Sequence, residues 1–211
     1  MAPERPGEGR IYTSGENSYN EGAMKFRYNA PMTLSFTLLS FVVLLLDSLA
    51  GASLTANLFS IPGRGFFSFS NPFHYVRLFT HVVGHADWNH FMSNFAIILL
   101  VGPMLEEKYG STSLLFMAAV TALVTGLLNV LLFTTGLLGA SGVVFMMILL
   151  ASFTNIRQGE IPLTFPLVLT IFLAGEILKS FERGSISEFA HVAGGVCGSL
   201  FGFIKPGKSR S

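Results

Sequence analysis

Apolar residues gather into six long runs, near 32–50, 89–105, 112–133, 137–154, 161–179 and 188–204. Each approaches the roughly 20 apolar residues that a hydrocarbon core of about 30 Å demands. The pattern predicts an all-α membrane protein with six spans. Its longest connection, residues 51–88, carries Phe66, Phe67, Phe69, Phe73, Tyr75 and Trp88. Aromatics at this density suit the membrane interface. They read as an interfacial anchor, or more sharply as a surface that touches substrate.

Composition agrees with the pattern. The 211 residues are 51% hydrophobic and 12% charged, against about 25% charged in soluble domains, and the mean hydropathy is +0.58. A net charge of +1 with no dense basic cluster sets nucleic acid aside as a partner. Cys197, the single cysteine, lies in an apolar run, which excludes an intrachain disulfide and a cysteine-based metal cage. Residues 1–30 mix both charges with Gly, Pro and Ser. They fit neither a cleaved signal nor a transit peptide, and read as a flexible tail. The expected organisation is a tail over 1–30, a membrane domain over 31–205 and a short C-terminal tail over 206–211. Arg5, Arg10, Lys25 and Arg27 before the first span, and Lys205, Lys208 and Arg210 after the last, predict both termini on the cytoplasmic side.

With that orientation, spans two, four and six enter from the outer face. His90, Ser141 and His191 then lie about four residues into their helices, or about 6 Å deep at 1.5 Å per residue. Ser141 alone is weak evidence for catalysis, because serine in a membrane helix commonly bonds the carbonyl four residues back or mediates packing. Gly139 and Gly142 beside it leave backbone amides uncovered near a helix start, where donors meet developing negative charge. His191 alone is likewise more often structural. However, Ala190, Gly194, Gly198 and Gly202 recur every four residues and give its helix a face that a neighbouring backbone can approach closely. Pairing that face with the Ser141 span brings hydroxyl and imidazole within reach.

His85, His90 and Asn94 form a third cluster, with His90 and Asn94 four apart on one helical face. Metal ligation, a packing network and oxyanion donation are the three readings. The chain has no His-Glu-x-x-His motif and no intramembrane carboxylates near the cluster, so metal is disfavoured. Donation fits better, since an amide and an imidazole N–H both stabilise an oxyanion. Asp47 and Asp87 are the only aspartates and cannot make the paired motif of an aspartyl protease. All five lysines flank spans, which leaves none for a Ser-Lys dyad. With no aspartate near His191, the expected machinery is a Ser-His dyad.

Arg77-Leu-Phe-Thr80-His81, then His85, His90 and Asn94, resemble the loop-one and second-span pattern of the rhomboid family of intramembrane serine proteases. Glu106, Gly110 and Ser111 look like that family's next turn. Gly139-Ala-Ser141-Gly142 looks like its nucleophile motif, and Ala190-His191-x-x-Gly194-x-x-x-Gly198 like its base motif. The resemblance runs from about residue 31 to 205. It implies a six-helix rhomboid-like bundle of the cell (inner) membrane that cuts transmembrane protein substrates within the lipid bilayer. No cofactor, metal or nucleotide would be needed. Ser141 would be the nucleophile and His191 its base; His90, Asn94 and the Ser141 amide would hold the oxyanion. Phe145 stands where the family often has Tyr, keeping an aromatic wall for His191 without a hydroxyl. The alternative is a catalytically silent relative that binds transmembrane helices. A transporter or channel would require mid-membrane charges and internal repeats, and neither is evident.

Overall fold

The computed structural model describes residues 28–50, 54–153 and 186–204, with isolated positions between 163 and 171. The tail expected before residue 31 and the span expected over 161–179 lie almost wholly outside the described residues, as does the C-terminal tail. The described chain forms α1 (Pro31–Ala50), α2 (Leu54–Leu58), α3 (Pro72–Thr80), α4 (Trp88–Tyr109), α5 (Ser111–Leu132), α6 (Ser141–Ser152) and α7 (Ile186–Ile204). Three helices, α1, α4 and α5, are long and apolar enough to cross a membrane. The 22 residues of α4 or α5 reach about 33 Å, which matches the hydrocarbon thickness. The apolar part of α6 and that of α7 (Phe189–Ile204) are shorter.

Side chains on the outer flanks are apolar and exposed, among them Leu38, Leu100, Phe116 and Leu131. Such a surface faces lipid, which is as apolar as leucine, so helix association depends on close packing. The α6–α7 contact supplies it. A Cβ on Gly194 would fall on the Gly142 carbonyl, and one on Gly198 on the Met146 carbonyl. One position round the helix, a Cβ on Gly195 would meet only the Leu149 side chain at 3.7 Å. The glycine stripe is therefore directed at α6.

Glu106, in the last turn of α4, ties three helix ends together. Its Oε1 accepts from the Met32 amide at 2.7 Å, and its Oε2 accepts from the Thr33 amide at 3.0 Å and the Thr33 hydroxyl at 2.8 Å. A further bond joins it to Ser111 at the start of α5. A carboxylate here satisfies amides at the N-terminus of α1 that have no intrahelical acceptor.

The connection between α1 and α4 is itself built. Asn71 caps α3, its Oδ1 accepting from the Phe73 amide at 3.0 Å, with Pro72 at the first helical position, where a missing N–H costs nothing. Arg77 donates to the carbonyls of Ser60 and Asn57 and closes the loop on itself. Phe67 sits among Phe69, His74 and Tyr75, while Phe66, Phe69 and Phe73 project outward. Ile61 exchanges two backbone bonds of 3.1 Å with Leu137. That bridge fastens the loop to the segment leading into α6.

Candidate active site

The structure starts α6 at Ser141, four residues later than the apolar run suggests. The cause is long-range. The Gly139 amide donates to the His81 carbonyl at 2.9 Å, and the Ala140 amide to His85 Nε2 at 3.4 Å. Gly139 has φ +120°, a conformation that glycine adopts without strain. The ring of His90 also lies against it, so a Cβ there would come within 2.5 Å of Cε1 and 2.7 Å of Nε2. Backbone angle and close approach both demand glycine at 139.

Ser141 is thus the first residue of α6, while His90 is the third of α4 and His191 the sixth of α7. The common depth of about four residues expected from the runs gives way to unequal helix starts. Ala140 precedes Ser141 without a side-chain cap, and the helical ladder begins with Val144 donating to the Ala140 carbonyl at 2.9 Å. The amides of Ser141, Gly142 and Val143 therefore have no acceptor within the helix and stand at the positive end of its dipole.

The head of α7 meets the same turn. The Ala190 carbonyl is 3.5 Å from where a Gly142 Cβ would stand, and Gly194 packs on Gly142. Phe145, one turn after Ser141 and on the same face, stacks on His191 with ring centroids 4.3 Å apart and planes 5° apart. Both rings are half-buried. The structure thus brings together the turn that bears Ser141, the His191 ring, Phe145, Gly142 and Gly194, with Gly198 continuing the contact.

Asp87 caps α4, its Oδ1 accepting from the His90 amide at 2.8 Å. The His90 ring meets the edge of His85 at 5.0 Å between centroids. One turn on, Asn94 is buried and its Nδ2 finds no acceptor among the described residues. A buried unpaired amide is costly, and this one shares a helix face with His90. Among the described residues, no three His, Cys, Asp or Glu side chains gather closely enough to hold a metal ion.

His85 is fully buried. Its Nε2 accepts from Ala140 and so carries no proton; its Nδ1–H donates to the Val83 carbonyl at 3.2 Å. Burial pushes its pKa down to about 4, in keeping with this neutral tautomer. Beside it lies a pair that sequence reasoning passed over. His81 Nε2 is 3.3 Å from the Thr125 hydroxyl, and the Thr125 methyl would meet a Cβ on Gly142 at 3.0 Å. Burial likewise lowers the His81 pKa to about 4. His81 was visible only within the loop-one resemblance. Thr125, one threonine in an apolar run, carried no signal of its own.

Three helices of membrane length, with α6 and α7 packed on each other through glycine beside a helix-head serine and a stacked histidine, define a multi-pass membrane protein. The family model for the Rhomboid domain matches residues 72–207, and the chain belongs to the rhomboid family. It is 24% identical over 131 residues to a Rhomboid protease GlpG of Haemophilus influenzae, covering 61% of this chain and 68% of that protein. It is 28% identical over 176 residues to the Rhomboid protease GlpG of Pectobacterium atrosepticum, covering 82% of this chain and 62% of that one. With Rhomboid-related protein 1 of Caenorhabditis elegans it shares 33% identity over 142 residues, covering 61% of this chain and 39% of the relative.

Proposed function

We propose that this chain is an intramembrane serine endopeptidase that cuts transmembrane segments of other membrane proteins with a Ser141–His191 dyad. The observation that carries the reading is the meeting of two helix heads. Ser141 opens α6 with uncapped amides, and His191 lies flat on Phe145 one turn further along the same helix face. Two distant relatives named rhomboid proteases support it.

In this reading the Ser141 hydroxyl attacks the scissile carbonyl while His191 takes its proton. The oxyanion that forms is received by the Ser141 amide, the Asn94 amide group and the His90 ring. Its collapse expels the amine, which takes the proton back from His191. Water, activated by the same imidazole, then releases the acyl group and restores the serine. His85 contributes by holding the Ala140 amide, and Gly139, Gly142, Gly194 and Gly198 contribute by allowing backbones to approach. The architecture proposed is six spans, the fifth over 161–179, in the inner membrane with both termini cytoplasmic.

A fluorophosphonate probe on purified protein tests the nucleophile directly. Wild type is expected to label and to cleave a transmembrane reporter, and Ser141→Ala to do neither. Labelling that persists in Ser141→Ala removes the assignment. Binding of transmembrane helices without cleavage by wild type would favour the silent relative, in line with the hydroxyl that Phe145 lacks.

A further inference from the structure

On the flank away from α7, a cavity of about 580 Å³ opens between α1, α5 and the loop after α3. Phe36, Leu39, Leu115, Ala118, Ala119 and Val83 are among its walls. Ala118 and Ala119 present only methyl groups and so leave the floor open. The rim residues Leu39 and Leu115 are 53% and 57% exposed. They continue into Leu38 and Phe116, which belong to the lipid-facing surface.

The lining selects the occupant. Lining positions on α5 run from Ser111 to Ala122, a length of about 16 Å at 1.5 Å per residue. Water finds few partners on such walls. A polymethylene chain fits the apolar lining and its continuity with the lipid-facing flank. Ser35, bonded to the Tyr28 hydroxyl at 2.7 Å, and Thr112 lie at the helix N-terminal end of the cavity, where the Thr112 hydroxyl suits an ester.

We infer that this cavity holds one acyl chain of a bilayer phospholipid and that the chain steadies the turn before Ser141. The path is short. Val83 lines the cavity and its carbonyl accepts from His85 Nδ1 at 3.2 Å, while His85 Nε2 holds the Ala140 amide. A filled cavity therefore presses on the residue whose side-chain partner orients the turn. Binding stands apart from the catalytic assignment; the effect on Ser141 rests on it.

Native mass spectrometry of the full-length protein in detergent tests the site with two probes, dioleoyl phosphatidylethanolamine and its dihexanoyl counterpart. Wild type and Met104→Gln, a change at an exposed α4 position away from the cavity, are expected to retain one long-chain lipid. Ala119→Phe, which fills the floor, and Leu115→Gln, on the exposed rim where folding is not at stake, are expected to lose it. The dihexanoyl lipid, with the same headgroup, should not be retained. Equal retention by wild type and both cavity variants, or none by wild type, overturns the site. Equal retention of both lipids makes it a headgroup site and overturns the acyl-chain assignment. In parallel, the long-chain lipid should raise the fluorophosphonate labelling rate several-fold in wild type and not in Leu115→Gln. Labelling unchanged by lipid overturns the coupling. Wild type that retains lipid but never labels overturns the proposed dyad and leaves the lipid site standing.

Discussion

Phe145 lies flat on His191, with ring centroids 4.3 Å and planes 5° apart. A flat wall limits how the imidazole can turn, and it sits on the helix that carries Ser141. The wall is thus built from the helix that Ser141 opens.

Replacing Phe145 by Ala should release the imidazole. An aromatic pair contributes about 0.5–1.5 kcal/mol, so reporter cleavage should slow by about threefold to tenfold. Phe145→Tyr keeps the wall and should cleave at least as fast as wild type. Cleavage rates in matched detergent provide the measurement. Phe145→Ala running at the wild-type rate would mean that His191 takes its orientation from elsewhere.

Adjacent glycines of α7 should respond in opposite ways to the same change. Gly194→Ala drives a methyl into the Gly142 carbonyl, whereas Gly195→Ala meets only Leu149 at 3.7 Å. Backbone cannot yield as a side-chain tip can, so Gly194→Ala should destabilise by about 1–3 kcal/mol. Gly195→Ala should be neutral or gain up to about 1 kcal/mol from helix propensity. Thermal unfolding of the two variants side by side checks the sign of the difference. Equal losses would show that α7 is not packed on this stripe.

Acid should weaken the fold through the loop after α3. His81 and His85 are held down to about 4 by burial, while in the unfolded chain they take up protons near 6.5. The unfolded state therefore binds more protons between those values. Their stabilisation is complete above about pH 6.5 and lost progressively as pH falls toward 4, amounting to about 2 kcal/mol per histidine at pH 5. His85→Gln removes one titrating group, so its stability should fall less between pH 7 and pH 5 than that of wild type. Parallel pH profiles for the two proteins would count against the neutral His85 tautomer.

The predictions draw on features that were unequally legible in the chain. The starts of α1, α4, α5 and α7 lie within two residues of the apolar runs, because in lipid the run and the helix answer to the same demand. The start of α6 was hidden. Gly139 and Ala140 are apolar, but their amides are bonded to His81 and His85, more than fifty residues earlier, and no local pattern records that. Helix α3 was missed although Asn71-Pro72 is a helix-start signal, since the aromatics of 51–88 directed attention to the interface. The glycine stripe and the His90–Asn94 spacing were readable because helical periodicity alone places them on a face. Thr125 was not, because its importance lies in what it touches across the bundle.

Asn94 separates function from stability most sharply. Its Nδ2 is buried with no acceptor among the described residues, and an unmet buried donor costs about 1–3 kcal/mol. In the proposed mechanism this donor meets the oxyanion, so its removal should cost activity rather than stability. Asn94→Leu, close in shape and without polar atoms, should therefore leave the thermal midpoint unchanged or raise it. The same substitution should lower kcat by about 10²–10³, the usual effect of losing one oxyanion donor, with little change in KM. Fluorophosphonate labelling, which also develops negative charge on its oxygen, should slow with kcat. A variant that loses stability and activity together would make Asn94 a packing residue. A variant that keeps full activity would leave the oxyanion to His90 and the Ser141 amide.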